Sequence, residues 1–203
     1  MKAFVLAVLA FVSSAAFAVN PAQDATRGDA AAGKVKSAVC AGCHGVDGNS
    51  VLPVNPNLAG LGARYIAEQL TAFKQGKRRN AVMQGMVAAL TEQDMLDLAA
   101  HYAVGTPKVG EADPERVAWG QRLYQGGLAE EGVPACTGCH GPGGKGNPAA
   151  GYPGLSGQHA EYTAAQLQAF RSGQRVNLQM NDIAHRMSDK DIASLAGYIQ
   201  GLH

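Results

Sequence analysis

An internal repeat constrains this chain more than any other feature of its sequence. The pentapeptide Cys-Ala-Gly-Cys-His at residues 40–44 returns as Cys-Thr-Gly-Cys-His at residues 136–140, an offset of 96 that becomes 97 after one inserted residue. Further positions carry the same residue in both copies, among them Tyr65, Gln69, Leu70, Phe73, Gly76 and Arg78, which match Tyr162, Gln166, Leu167, Phe170, Gly173 and Arg175. Because there are only two copies, the pattern predicts one small domain duplicated in tandem and not a solenoid.

The boundary between the copies falls in residues 104–113, where Gly105, Pro107 and Gly110 interrupt the helical pattern. A chain of 203 residues has room for two domains of about 90 residues each. We therefore predict an N-terminal domain at residues 19–107 and a C-terminal domain at residues 108–203.

Residues 1–18 have the composition of a secretory signal peptide. Lys2 gives the positive start, residues 3–12 form the apolar run, and Ala16-Phe17-Ala18 fits a cleavage site. A membrane anchor is the alternative, but the apolar run is shorter than the roughly 20 residues that span a bilayer. The sequence thus predicts a protein that is exported and cleaved near Ala18.

Charge argues against one class of partner. The formal net charge is +1, and only 16% of the residues are charged. Such a composition provides no broad basic surface for a polyanion. We predict no nucleic-acid partner.

Each repeated pentapeptide is a Cys-x-x-Cys pair followed directly by histidine. In this pattern two thiols add to the vinyl groups of a haem, and the adjacent imidazole ligates the iron. Disulfides, a dithiol redox motif and a zinc site are the alternatives, but none of them needs the trailing histidine twice. The sequence predicts two covalently attached haem c groups, with attachment and iron-ligand residues as follows: Cys40, Cys43 and His44 for the first, and Cys136, Cys139 and His140 for the second.

The remaining periodicity is helical, and no strand pattern stands out. The predicted helices are residues 29–39 and 114–124 at the start of each copy, residues 63–75 and 160–172 in the middle, and closing helices that begin at Thr91 and Ser188. The loops at residues 45–62 and 141–157 are rich in Gly and Pro and too poor in apolar side chains to form a core. A large flat cofactor would supply the missing apolar volume.

A haem iron with one histidine ligand needs a second axial ligand if it is to be closed to substrates. Met83 and Met180 coincide when the repeats are aligned, in segments that we predict to be polar loops, and we expect them to be these ligands. The other candidates have no methionine or histidine at the matching position of the other copy. We interpret Met86, Met95 and Met187 as core fillers, and His101, His159, His185 and His203 as solvated or packed side chains.

Two further pairs recur near the haem motifs. Pro56 and Pro153 follow the histidines, and we expect the backbone carbonyl of each to accept the Nδ1 proton of His44 or His140. Loop rigidity alone is the alternative for these prolines. Arg78 and Arg175 precede the methionine segments. Two interpretations are open for each arginine: it contacts a haem propionate, or it is a charged side chain in solvent.

These residues resemble those of the class I c-type cytochromes, and specifically the duplicated dihaem cytochrome c4 family. The resemblance runs from Gly-Asp-Ala-Ala-Ala-Gly at residues 28–33 to the C-terminus, and Gly-Tyr-Pro-Gly-Leu-Ser-Gly-Gln-His-Ala at residues 151–160 is typical of the family. It implies an all-α fold of two tandem class I cytochrome c domains related by pseudo-twofold symmetry, each wrapped around one covalent haem. One departure is His101, which stands at the position of Tyr198, where an aromatic usually packs on the opening helix.

The resemblance also implies His/Met ligation at both irons, haem propionate edges that approach each other across the domain interface, and a role in the bacterial periplasm. The implied partners are redox proteins, such as a cytochrome bc1 complex as donor and a terminal oxidase as acceptor. The implied state is a monomer, and peripheral membrane association is compatible with it.

Three functions follow from two haems of this kind. The first hypothesis is a passive electron carrier, because closed irons offer no position to a substrate. An enzyme such as a dihaem peroxidase would need an open iron with acid–base residues nearby, which the sequence does not offer. A subunit of a larger respiratory complex is the third hypothesis. For docking, residues 77–79 (Lys-Arg-Arg) form the only concentrated basic segment near a haem motif.

Overall fold

The computed structural model describes residues 27–203, so the predicted signal peptide lies outside the described residues. The described part contains ten α-helices, five in each copy of the repeat. The first copy holds α1 (Ala30–Lys36), α2 (Ala41–His44), α3 (Ala63–Lys74), α4 (Ala81–Val87) and α5 (Glu92–Ala103), with a 3-10 turn at Ser37–Val39. The second copy holds α6 (Val117–Gly126), α7 (Thr137–His140), α8 (Ala160–Arg171), α9 (Leu178–His185) and α10 (Asp189–Gln200).

The all-α prediction is confirmed. Within residues 27–203 the only β structure consists of two isolated bridges, Leu128–Val133 and Asn147–Tyr152. In the same residues no helix has the length and apolar character needed to cross a membrane.

The opening and closing helices of each copy cross at a glycine. A Cβ atom on Gly33 would lie 2.0 Å from the Asp97 carbonyl oxygen of α5, and one on Gly120 would lie 2.2 Å from the Ser194 carbonyl oxygen of α10. Only glycine allows two helix backbones to approach so closely. His101 lies over Gly33 as Tyr198 lies over Gly120, while the neighbouring Tyr102 is buried in the core.

The closing helices begin where the sequence predicts. Thr91 and Ser188 are the N-cap residues of α5 and α10, and each forms a capping box with the aspartate three residues later, Asp94 or Asp191. The box satisfies amide groups that the first helical turn leaves without partners. This local order fixes the start of each closing helix against the core.

The second opening helix begins three residues later than the sequence predicts. Asp113 instead begins a preceding turn, in which its side chain accepts the Glu115 amide and its carbonyl accepts the amides of Arg116 and Val117. The helix therefore runs from Val117 to Gly126. The second copy also has a longer connection to its haem motif, and this connection is closed by the Leu128–Val133 bridge.

Each copy has its own core, formed mainly by its middle and closing helices, to which the opening helix α6 adds side chains in the second copy. The N-terminal core contains Ile66, Ala67, Leu96, Leu98, Ala99 and Tyr102. The C-terminal core contains Leu123, Tyr124, Val133, Leu167, Met187, Ile192, Leu195, Ile199 and Leu202. Two separate cores are what a duplicated domain requires.

The interface between the copies contains a ring of hydrogen bonds that we call the arginine clasp. Its members are the repeated side chains Arg78, Arg175, Tyr65, Tyr162, Gln69 and Gln166. Arg78 donates to the Tyr162 hydroxyl (2.8 Å), and Arg175 donates to the Tyr65 hydroxyl (2.7 Å). Both guanidinium groups also donate to both glutamine Oε1 atoms, at distances of 2.9–3.0 Å.

The arginine clasp revises the interpretation of these two arginines. Arg175 is only 9% exposed, so its interpretation as a solvated charge is wrong. Arg78 is half-buried. Each guanidinium also stacks on a phenylalanine of its own copy, Phe73 or Phe170, with 4.5–4.6 Å to the ring centre. Consequently, of the basic segment at residues 77–79, only Lys77 and Arg79 face solvent.

A second set of interface contacts is not repeated. Asn57 and Gln158 are buried and form a reciprocal pair, in which the Asn57 amide donates to Gln158 Oε1 and Gln158 Nε2 donates to the Asn57 carbonyl, both at 2.9 Å. His159 Nε2 lies 2.9 Å from the Ser50 carbonyl oxygen of the other copy. Main-chain groups of the first haem-motif loop are thus fixed by side chains of the second copy.

Candidate haem centres

The two pentapeptides have the same local structure. In each, the first cysteine precedes a single helical turn, and its carbonyl accepts the amide of the histidine four residues later, at 3.0 Å for Cys40 and His44 and 2.9 Å for Cys136 and His140. Residues three apart in such a turn lie on the same side. All four cysteines are free thiols, so the disulfide alternative is not found.

The two cysteines of each pair differ in environment. Cys43 and Cys139 are exposed, whereas Cys40 and Cys136 are partly buried. Burial raises the pKa of the Cys136 thiol to about 11 and also raises that of Cys40. An apolar environment of this kind suits a thioether, which carries no charge.

Each motif histidine is held in one tautomer by a backbone carbonyl. His44 Nδ1 lies 2.9 Å from the Pro56 oxygen, and His140 Nδ1 lies 2.9 Å from the Pro153 oxygen. Because a carbonyl can only accept, Nδ1 must carry the proton and Nε2 keeps its lone pair. Burial lowers the pKa of both imidazoles, and the carbonyl contacts only partly oppose this. Both rings are therefore neutral and can ligate a metal through Nε2.

These features fit haem c. Two free thiols on one side of a turn match two vinyl groups, and the neutral imidazole beside them matches an axial position of the iron. In residues 27–203 no three His, Cys, Asp or Glu side chains are grouped closely enough to hold a metal ion by themselves.

The structure corrects the surroundings of the two methionines. They do not lie in polar loops, because Met83 and Met180 are each the third residue of a short helix, α4 or α9. The N-cap residues Asn80 and Asn177 accept the methionine amides, at 2.9 and 3.0 Å. Both methionines are partly buried, and their backbone is fixed in the same way in the two copies.

The other methionines divide into two groups. Met95 and Met187 are buried in the two cores, as expected for core fillers. Met86 is 41% exposed, so the same interpretation is wrong for it. Its exposure follows from the short helix α4, which buries only Val87.

Sequence reasoning did not identify the role of Gln158 and His159. Both are interface residues that contact the first haem-motif loop, and neither has the same residue at the matching position of the first copy. A search for repeated positions therefore passes over them. The sequence signal that could have identified them is a difference between the copies: two adjacent polar residues stand where the first copy has Leu61 and Gly62.

Comparison with known proteins agrees with this geometry. The family model described as "Cytochrome c" matches the chain twice, at residues 30–102 and 117–203. Cytochrome c4 of Pseudomonas aeruginosa is 52% identical over 180 residues, which cover 87% of this chain and 90% of the relative. Cytochrome c4 of Azotobacter vinelandii is 50% identical over 189 residues with the same coverage. The crystal structure of reduced recombinant cytochrome c4 from Pseudomonas stutzeri superposes with a TM-score of 0.85 at 48% identity, over 87% of this chain and 100% of that one.

Proposed function

Because this chain belongs to the cytochrome c4 family of electron carriers, we propose that it passes single electrons between respiratory-chain partners in the periplasm, toward a terminal oxidase. Membership of the family confirms the resemblance, the two cytochrome c domains and the two covalent haem c groups. It also identifies the chain as an electron-transfer protein and not an enzyme. The axial ligands, the partners and the compartment are the parts that we propose.

We assign the first haem to Cys40, Cys43, His44 and Met83. We assign the second haem to the matching residues Cys136, Cys139, His140 and Met180. The group supplies one-electron chemistry, in which its iron alternates between the ferric and ferrous states. A histidine and a methionine of each copy would hold this iron in both states, so that little rearrangement would accompany each transfer.

The prolines act on the iron through the histidines. A carbonyl that accepts the Nδ1 proton keeps each imidazole in one orientation and makes Nε2 a stronger ligand. The distances of 2.9 Å at Pro56 and Pro153 support equal roles in the two copies. Because the contact is made by the main chain, replacing either proline would leave the acceptor in place and change only the stiffness of the loop.

One observation carries the ligand assignment, and it is the recurrence of an asparagine-capped methionine at matching positions of both copies. Replacing Met180 by alanine should open one axial position of the second haem and leave the first unchanged. We expect half of the ferric haem to lose its methionine-ligated absorption signature and the reduction potential of that haem to fall.

Met86→Ala is the matched control, because Met86 lies in the same helix as Met83 but is exposed and has no methionine partner in the repeat. Its spectrum should equal that of the wild type. A Met180→Ala protein with an unchanged ferric spectrum would show that another side chain ligates the second iron.

The partners and the compartment need their own experiment. The sequence of residues 1–18 supports export, and the family supports redox proteins as partners. Wild-type holoprotein should be found in the periplasmic fraction, shortened to begin after Ala18. It should be reduced by a cytochrome bc1 complex with quinol and reoxidised by a terminal oxidase. Failure of either reaction at micromolar concentrations would exclude that enzyme as a partner.

A further inference from the structure

A cleft lies on the surface of the second domain, between α6 and the N-terminal half of α10. Its volume is about 410 Å³, at the lower end of the range for small-molecule sites. Its walls carry three cations and one carboxylate. We call this feature the basic cleft, and the following lining residues define it: Glu115, Arg116, Trp119, Arg122, Lys190 and Ser194.

The basic cleft faces away from the haem motif of its own domain. Tyr124 of α6 points toward that motif, because its hydroxyl donates to the carbonyl of Gly141, the residue after His140, at 2.6 Å. Arg122 stands two positions before Tyr124, which places the two side chains about 200° apart around the helix. A haem on this motif would therefore leave the basic cleft open to solvent.

Two contacts hold the wall of the cleft in one arrangement. The Trp119 indole N–H donates to the carboxylate of the buried Asp191 at 2.9 Å, which fixes the ring. The Arg122 guanidinium lies over this ring, 4.5 Å from its centre. A stacked guanidinium keeps its N–H groups, which lie in its own plane, for an acceptor. The cation is thus oriented before any ligand arrives.

Two of the three cations have no anion of the protein to neutralise them. In the described residues no carboxylate lies within ion-pair distance of Arg122 or Lys190. Arg116, by contrast, pairs with Asp113 at 3.5 Å. Glu115 adds a negative charge to the same cleft. An incoming anion would therefore be bound mainly by Arg122 and Lys190.

The first copy has no such cleft chemistry. The crossing glycines Gly33 and Gly120 align the two opening helices at an offset of 87. At the matching positions none of the basic or aromatic residues is kept: Asp29 stands for Arg116, Ala32 for Trp119, Val35 for Arg122 and Gln93 for Lys190. The basic cleft is therefore separate from the duplicated features that hold the two haems.

We propose that the basic cleft binds the phosphate group of a small anion, with Arg122 and Lys190 donating to its oxygens. A phosphate group presents oxygens around a tetrahedral centre, so it can accept from a guanidinium and an ammonium on different walls at once. A singly charged carboxylate has two oxygens in one plane and gains less beside Glu115. A free phosphate compound and a phospholipid headgroup share this chemistry.

Trp119 provides a direct readout, because it is the only tryptophan of the chain. Its indole N–H gives a single signal in the nitrogen–proton spectrum of the labelled ferrous holoprotein. Pyrophosphate, added at constant ionic strength and pH 7, should shift this signal until it saturates, and calorimetry should give a dissociation constant below about 1 mM. Acetate at the same ionic strength should leave the signal in place.

Four variants test the roles of single charges. We expect Arg122→Gln to weaken pyrophosphate binding about tenfold and Lys190→Gln about fivefold. Glu115→Gln should strengthen it about threefold, because an opposing charge is removed, and damage to the fold could not produce such a gain. Lys34→Gln is the matched control in the first opening helix, where the second copy has Gln121, and should change binding less than about twofold.

Three results would overturn the proposal: no shift of the indole signal up to about 10 mM pyrophosphate, an equal response to acetate, or equal weakening by Lys34→Gln and Arg122→Gln. Sedimentation with phosphatidylglycerol vesicles distinguishes the two sources of phosphate. Vesicle binding that requires Arg122 would support the site and assign a lipid headgroup to it. Protein that stays in solution while pyrophosphate binds would support the site and assign a free phosphate compound.

Discussion

Gly33 and Gly120 show how a single missing methyl group determines the packing of two helices. Replacing Gly120 by alanine would put a Cβ atom within 2.2 Å of the Ser194 carbonyl oxygen and 2.6 Å of the Tyr198 Cβ. Neither neighbour is the flexible end of a side chain, so α6 must move away from α10. We expect a loss of about 2–3 kcal/mol in the free energy of unfolding, measured by guanidinium denaturation of the holoprotein.

Gly126→Ala is the control for this prediction. Gly126 lies in the same helix, and a Cβ atom there would meet nothing within 4 Å. The free energy of unfolding should then stay constant or rise by about 0.5 kcal/mol, because alanine loses less backbone entropy in a helix. Equal losses for the two variants would mean that the close helix crossing at Gly120 does not explain the effect.

Among single residues, the sequence predicts those whose role follows from a local motif. The two cysteines and the histidine of each motif are identified by spacing alone. Arg78 and Arg175 could not be placed in the same way, because their partners Tyr162 and Tyr65 come from the other copy, and repeat analysis does not show which faces meet. The direction of a long side chain depends on tertiary contacts that no local pattern records.

The two opening helices are attached to their closing helices by different chemistry. In the first copy Lys36 Nζ lies 2.8 Å from Asp94 and 2.5 Å from Asp97. In the second copy Asp191 instead accepts the Trp119 indole N–H at 2.9 Å, and Ser194 replaces Asp97. The attachment of α1 to α5 therefore depends on ionised carboxylates more than that of α6 to α10.

This difference predicts an acid-sensitive first domain. The hydrogen bond from Lys36, with those from Thr91, lowers the pKa of Asp94. Burial works to raise the pKa of Asp97, but the hydrogen bonds from Lys36, the Asp29 amide and Gln93 outweigh it, and the pKa is lowered. A depressed carboxylate pKa contributes stability above the unfolded value of about 4, and the contribution is lost as pH falls further.

Lys36→Met should therefore lower the melting temperature of the holoprotein at pH 7, and the difference from wild type should shrink below about pH 4. Lys145→Met, in an exposed loop of the second copy, is the control and should have no effect at either pH. The measurement is calorimetric melting of the holoproteins between pH 3 and 7. A difference that grew on acidification would contradict the assigned sign.

Among the helices, the long amphipathic ones and those with capping boxes were predictable, and the short ones were not. The sequence places α3 and α8, and the starts of α5 and α10, within a residue or two, because apolar spacing and caps agree. It gives α4 and α9 as loops, since a segment of seven or eight residues is too short to show a helical period. Their caps, Asn80 and Asn177, were the available evidence.

The arginine clasp connects the two domains. Burial by itself would raise the pKa of the Tyr65 hydroxyl, but the charges of Arg175 and Arg78 outweigh this effect and lower the pKa. Arg175→Gln would remove three contacts that cross or border the interface and leave the Tyr65 hydroxyl and two amide oxygens without this donor. We expect the coupling between the domains to weaken by about 2 kcal/mol.

Two measurements check this prediction. Unfolding of the holoprotein should separate into two transitions, and the radius of gyration from solution scattering should increase. Arg171→Gln is the matched control, because Arg171 contacts only Met187 and Asp189 of its own domain. If Arg171→Gln separated the domains as effectively, the arginine clasp would not be what connects them.

The unrepeated pair Asn57–Gln158 has a consequence for self-recognition. Every member of the arginine clasp occurs in both copies, so that ring alone would also join two N-terminal domains from different molecules. In the first copy Leu61 occupies the position that matches Gln158. A second N-terminal domain in the place of the C-terminal domain would therefore leave the Asn57 backbone amide and carbonyl unpaired. The Asn57–Gln158 pair thus penalises pairing between two N-terminal domains and favours pairing of an N-terminal with a C-terminal domain.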